Sequence, residues 1–170
     1  MLKTRKDNII WLMNLELLEI GPGRHPSMMA GNPEVNYRAV DKSPIVHELG
    51  LEVYIGDIRH FAASGEAAVD RFDLIYAANV LGNLPGGDQE RYSVVSCALG
   101  LLNSDGRLVL IEYLSPPRAK LTTIQKRFGG IIYSEADGKF METWSEHIEE
   151  TSASKKQRLN LKKPFQMLEI

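Results

Sequence analysis

The 170-residue sequence predicts an α/β fold, a mostly parallel β-sheet flanked by helices. Three observations carry that prediction. Apolar runs recur at Leu15–Ile20, Asn36–Val40, Leu51–Ile55, Phe72–Ala77 and Arg107–Tyr113, each short and closed by a turn, as buried parallel strands are. Segments with helical signals alternate with these runs, and strands alternating with helices build a parallel sheet through crossover connections. The first run ends in Glu19-Ile20-Gly21-Pro22-Gly23, where two glycines let the backbone bend sharply and let a ligand approach the main chain.

The elements follow in order. Leu2–Met13 can form a short amphipathic lead-in helix. Pro26 suits the first turn of a short helix and Gly31 its end. Strand two ends at Asp41, and Ser43 and Pro44 then fit the N-cap and first position of a helix closed by Gly50. Strand three runs into Gly56-Asp57-Ile58, and the alanine-rich Ala62–Val69 is expected to be helical. Strand four leads to Asn79, after which Asp88 is the expected N-cap of a helix reaching about Leu102, with Val94, Val95, Ala98, Leu99 and Leu102 as its apolar stripe. Asn103–Gly106 is a turn before strand five. Beyond it, Pro117–Phe128 reads as helix, Asp137-Gly138 as a hairpin turn between Ile131–Tyr133 and Lys139–Trp144, Glu146–Asn160 as a polar helix, and Phe165–Ile170 as a final, antiparallel strand. No repeat or linker divides the chain, so residues 1–170 are expected to form a single domain.

Composition narrows the function. The net charge of −2 disfavours a polyanion binder, so nucleic acid is not an expected partner. Cys97 is the only cysteine, which excludes an internal disulfide and a thiolate cluster, and its place on the apolar side of a helix reads as core. His47, His60 and His147 lack metal-ligand spacing to one another, so no metal is expected, and His25 reads equally as a loop residue touching ligand or as a surface histidine. Lys3, Arg5 and Lys6 precede Ile9–Met13 as in a secretory leader, but Asn14 and Glu16 interrupt the run and no small-residue cleavage site follows. No stretch is long enough to span a bilayer, and a cytoplasmic protein without membrane contact is expected.

Acidic or amide residues fall at successive strand ends: Glu19, Asp41, Asp57 and Asn79. One such residue alone is usually a turn or helix cap. Their succession around a glycine turn points to a site, because open parallel sheets bind ligands beyond the carboxyl ends of their strands. The pattern resembles the class I S-adenosylmethionine-dependent methyltransferases of small-molecule type. Glu19–Gly23 is similar to the family's first motif, Val40–Pro44 to the second, Gly56–Ile58 to the third, Phe72–Leu81 to the fourth, and Leu101–Leu110 to the approach into strand five. The resemblance implies a three-layer Rossmann-like methyltransferase fold with S-adenosyl-L-methionine as cofactor. It implies a cofactor-binding set of Glu19, Gly21, Gly23, Asp41, Lys42, Asp57, Ile58 and Asn79, with Glu19 organising the methionine end, Asp41 accepting the ribose hydroxyls, Asp57 accepting from the adenine amino group and Ile58 packing on the ring. No catalytic residue is assigned.

Departures bear on the acceptor more than on the cofactor. Arg24-His25-Pro26 stands where a further small residue is usual, and Gly82-Asn83 where many small-molecule members carry Glu-His. An Asn-Pro-Pro-Tyr signature for amino acceptors is absent, which favours a small-molecule acceptor. A dinucleotide instead of S-adenosylmethionine is disfavoured, because Pro26 takes the place of the third glycine and Glu19 would oppose a pyrophosphate. The alternative function is a catalytically silent S-adenosylmethionine-binding module acting as a regulatory partner. A homodimer is compatible with a short domain that completes its site from a second subunit.

Overall fold

The computed structural model describes residues 15–24, 26–44, 50–64, 71–113, 121–134 and 165–170. Its strands are β1 (Leu15–Ile20), β2 (Val35–Asp41), β3 (Val53–Ile55), β4 (Phe72–Ala78), β5 (Leu102–Tyr113), β6 (Ile131–Ser134) and β7 (Phe165–Glu169). Its α-helices are α1 (Ile58–Ala63), α2 (Gly87–Gly100) and α3 (Leu121–Phe128), with 3-10 turns at Met28–Gly31 and Leu81–Asn83.

The strands form one sheet in the order β3-β2-β1-β4-β5-β7-β6. The first five pair in parallel, and β7 lies antiparallel between β5 and β6. From β1 the chain steps outward to β2 and β3, then returns to place β4 on the other side of β1. Strand order therefore reverses between β1 and β4, the position where such sheets open a crevice at their carboxyl edge.

The alternation of side chains along β1 divides the core. Leu18 and Ile20 join Ile58 and Phe61 of α1, Val94, Val95 and Ala98 of α2, and Leu121 and Ile124 of α3 on one face. Leu17 meets Val35, Tyr37 and Ala39 on the other, where Ala30 of the first 3-10 turn packs. Strands buried on both faces explain why their sequences read as near-continuous apolar runs. Among the described residues, no helix is long and apolar enough to cross a membrane.

Several boundaries differ from the sequence reading. α1 starts directly at Asp57, which caps it, and only Ala62 and Ala63 of the expected alanine-rich helix are helical among the described residues; 65–70 lie outside them. α2 has Gly86 at its N-cap with no side-chain cap, and Asp88 sits within its first turn, paired to Arg91 at 2.8 Å. The strand from Leu102 absorbs the expected turn Asn103–Gly106, with a register shift opposite Phe72 and Leu74. β6 pairs with β7 across the sheet edge. Its expected hairpin partner Lys139–Trp144, the polar helix Glu146–Asn160, the lead-in Leu2–Met13 and the main part of the helix Pro44–Leu49 lie outside the described residues.

A buried carboxylate ties the sheet to the segment after β4. Glu112 is 2% exposed near the end of β5. Its carboxylate accepts the Leu81 N–H at 2.8 Å and the Gly82 N–H at 3.3 Å. Asn79 N–H donates to the Ile111 carbonyl at 2.8 Å, and Arg91 Nε to the Leu81 carbonyl at 3.0 Å. Removing the carboxylate would strand two amides with no acceptor. Glu112→Ala is expected to lower stability by about 2–3 kcal/mol, roughly 5–10 °C in Tm. Glu112→Gln, keeping one acceptor oxygen, should lose less. Thermal and urea unfolding of both variants check the ranking, and equal stability of Glu112→Ala and wild type would contradict the bracing role.

Candidate functional site

The site is built on the turn after β1. Gly21 and Gly23 have φ of +65° and +57°, in the left-handed region that side chains disfavour. A Cβ on Gly21 would also stand 2.9 Å from Val80 Cγ2, so the turn packs against the segment after β4. The Gly21 N–H donates to the Val40 carbonyl at 2.8 Å. The Gly23 N–H donates to Asp41 Oδ2 at 2.7 Å, and Asp41 Oδ1 accepts the Ser43 N–H at 2.8 Å.

Glu19 holds the far side of the same loop. It lies opposite Ala39 in the β1–β2 register, on the face shared with Tyr37 two residues earlier. Only 3% exposed, it accepts the Tyr37 hydroxyl at 2.6 Å and the Ser27 N–H at 2.8 Å. Burial pushes its carboxyl above the usual range, while the Tyr37 and Ser27 donors pull it back. Burial and the neighbouring Glu19 raise Tyr37 far above an ordinary phenol, so the phenol keeps its proton and donates.

Above this turn lies a cavity of about 280 Å3, near the small end of ligand-binding cavities. The structure brings seven of the eight sequence-selected residues to its wall: Gly21, Gly23, Asp41, Lys42, Asp57, Ile58 and Asn79. Glu19, the eighth, lies next to the cavity as the loop's anchor. Apolar wall comes from Ile20, Val40, Val80, Leu84 and Val94.

Asp57 is the most heavily bonded acid of the group. It has extended backbone at φ −96° and ψ 144°, and its Oδ1 caps α1 through the Arg59 N–H at 2.9 Å. The Arg59 side chain folds back on the carboxylate, with Nε to Oδ1 at 2.7 Å and Nη2 to Oδ2 at 2.6 Å. Lys42 Nζ stands 3.3 Å from Oδ2. The Arg59 guanidinium above all, with its N–H and Lys42, holds the Asp57 carboxyl well below the usual range against the opposing effect of burial. Arg59 Nη2 also reaches Glu90 Oε1 at 2.9 Å, and Glu90 Oε2 accepts the Gly86 N–H at 2.7 Å. Asn79, at φ +56°, turns the chain after β4 in a conformation that asparagine tolerates better than most residues; its carbonyl accepts Asn83 Nδ2 at 2.6 Å.

Sequence reasoning missed Arg59, Glu90 and Glu112. Arg59 and Glu90 carry no strand-end signal, because their role depends on α1 and α2 lying side by side. Glu112 did carry one: it is the acidic residue at the end of strand five, the same sign that marked the earlier strands.

The geometry matches known folds closely enough to name one. No family model matches the sequence, and comparison with curated proteins gives no match. Solved structures do match. A SAM-dependent methyltransferase from Archaeoglobus fulgidus superposes with a TM-score of 0.60 at 13% identity, over 96% of this chain and 89% of that one. A TehB-like SAM-dependent methyltransferase from Corynebacterium glutamicum gives 0.60 at 15% identity, over 97% and 84%. The plantazolicin methyltransferase BpumL, solved with a triazolic desmethylPZN analog and SAH, gives 0.59 at 15% identity, over 91% and 75%. Two longer methyltransferase neighbours are spanned over only 21% and 46% of their length. The seven-strand order, the single antiparallel strand and these superpositions together give the chain the class I S-adenosylmethionine-dependent methyltransferase fold, three-layered and Rossmann-like.

Proposed function

We propose that the chain is an S-adenosylmethionine-dependent methyltransferase that binds its cofactor in the cavity over the β1 turn and methylates a small-molecule acceptor. The observation that carries this reading is the state of the turn's amides. A dinucleotide needs free N–H groups at that turn for its diphosphate. Here the Gly21, Gly23 and Ser27 N–H groups already donate, to Val40, Asp41 and Glu19. Two of those acceptors are carboxylates, which repel phosphate and favour a cation.

S-adenosylmethionine supplies a methyl group on a sulfonium, already a good donor, so the protein's work is to bind, align and exclude water. Gly21 and Gly23 give close backbone approach. Asp41 accepts the ribose hydroxyls, Asp57 the adenine amino group, and Ile58, only 3% exposed, supplies the apolar floor beneath the ring. Glu19 acts at the methionine end by fixing the loop through Ser27. Asn79, held by β5, forms the wall toward the acceptor. BpumL, a fold neighbour, was solved with SAH and a triazolic desmethylPZN analog. A general base is needed only where the acceptor must lose a proton, and alignment alone suffices for one that need not.

Titration calorimetry with S-adenosylmethionine, its demethylated product and NAD tests the reading directly. Binding of the first two without NAD is expected; binding of NAD alone would overturn it. Release of demethylated product across a panel of small acceptors then tests turnover, and binding without any release would favour a silent module.

Asp41→Ala should weaken cofactor binding by about 1–3 kcal/mol, the scale of lost charged hydrogen bonds. Unchanged affinity in the same titration would count against the ribose assignment.

Asp57→Asn isolates charge from capping, since asparagine caps a helix about as well as aspartate. The folded carboxyl titrates below its unfolded value of 3.8. Its stabilisation is therefore complete above that value and is lost as pH falls toward the lower folded one. The variant should be about 1–2 kcal/mol less stable at pH 7, with the gap closing below about pH 4. Urea unfolding across pH reads this, and a gap that persists in acid would contradict the charge assignment.

A further inference from the structure

We infer that Lys42 is the exchangeable counterion of Asp57, displaced by the adenine amino group when cofactor binds, so that Lys42 opposes binding and is not one of its holders. The inference rests on the methyltransferase reading above and adds to it how the base is recognised. An ionised carboxylate offers about four acceptor positions. Among the described residues, four donors meet Asp57: the Arg59 N–H at 2.9 Å and Nε at 2.7 Å on Oδ1, and Arg59 Nη2 at 2.6 Å and Lys42 Nζ at 3.3 Å on Oδ2. An incoming N–H donor has no further position to take. One of the four must leave.

Three of them come from Arg59 and are held together. The N–H belongs to the first turn of α1, and Nε and Nη2 form a forked pair. Nη2 is anchored again on Glu90, which is itself fixed to the Gly86 N–H. Removing any one disturbs the helix start or the bridge to α2. Lys42 is different. Its contact is the longest of the four, and its side chain is 64% exposed against 34% for Arg59. A solvated ammonium leaves an exposed ion pair at little cost, because water replaces the carboxylate around it. Lys42 and Asp57 both line the cavity, so the position it vacates faces the ligand. Arg59 then acts as the positioning residue that holds the carboxylate plane while its remaining lone pair reads the base.

The test compares wild type, Lys42→Met and Lys42→Arg by calorimetry against S-adenosylhomocysteine, chosen because it carries no net charge. The purine-riboside analogue of S-adenosylhomocysteine, which has hydrogen where adenine has its amino group and no proton on N1, serves as the second probe. Lys42→Met should bind S-adenosylhomocysteine about two- to fivefold tighter than wild type, the range set by an exposed ion pair. It should bind the deaminated purine probe no tighter, because that base has no donor on this edge to use the freed acceptor. Lys42→Arg, which restores the cation, should bind like wild type. Raising salt from about 0.01 to 1 M should tighten wild type toward Lys42→Met and leave that variant unchanged. Equal or weaker binding of S-adenosylhomocysteine by Lys42→Met overturns the inference, as does equal tightening of both probes. If wild type binds neither, the methyltransferase reading fails first and takes the inference with it. Matching melting temperatures of the three proteins confirm that folding is not the variable.

Discussion

The structure depends on two carboxylates grasping one loop. Glu19 takes the Ser27 N–H and Asp41 the Gly23 N–H, so the turn between β1 and its first 3-10 helix is pinned at both ends by acids from adjacent strands. The parallel register makes this possible, because Ile20 sits opposite Val40 and the strands end together. Their acids therefore emerge at the same height around the glycines. Charge-assisted bonds of this kind are stronger than neutral ones, and here they replace the phosphate that a dinucleotide fold would use to organise the same amides. The loop's shape is set before any ligand arrives.

The opposite wall is set by a different device. Asn79 adopts a left-handed conformation at the end of β4, and the segment behind it rests on Glu112 of β5. Val80 packs so closely on Gly21 that the turn has no room for a Cβ. The two walls are thus one packed unit: loosening β5's hold on Leu81 and Gly82 would free Val80 and, with it, the turn. A conformationally costly residue persists at such a site only when its surroundings hold it there.

The fold was legible in the sequence because both-face burial writes itself as repeated short apolar runs. β1, β2 and β4 are the plainest cases, and three of the four strand-end residues, Asp41, Asp57 and Asn79, share one cavity wall. Boundaries were less legible. Asp57 looked like a free site acid, whereas it also starts α1; a residue can signal a cap and a site by the same side chain. Asp88 looked like a cap, whereas Gly86 takes that place and Asp88 turns to Arg91. The Asp137-Gly138 turn lies outside the described residues, and β6 pairs with β7, over thirty positions along the chain, as with Ile131 opposite Glu169. Local turn chemistry records no long-range pairing. Arg59 and Glu90 were invisible for the same reason: their bond spans α1 and α2.

Charge bookkeeping around the cavity joins these points. Asp41, Asp57 and Glu90 bring three carboxylates, and Lys42 and Arg59 bring two cations, all within one contiguous set of contacts or one wall. Glu19 stands outside this set: burial raises its carboxyl, and the Tyr37 and Ser27 donors oppose that. Those five groups balance to a single negative charge, with Asp57 and Glu90 sharing the cations. A diphosphate brought there would add like charge to a site whose amides are already engaged. A sulfonium with its ammonium and carboxylate carries one net positive charge, opposite in sign to these acids.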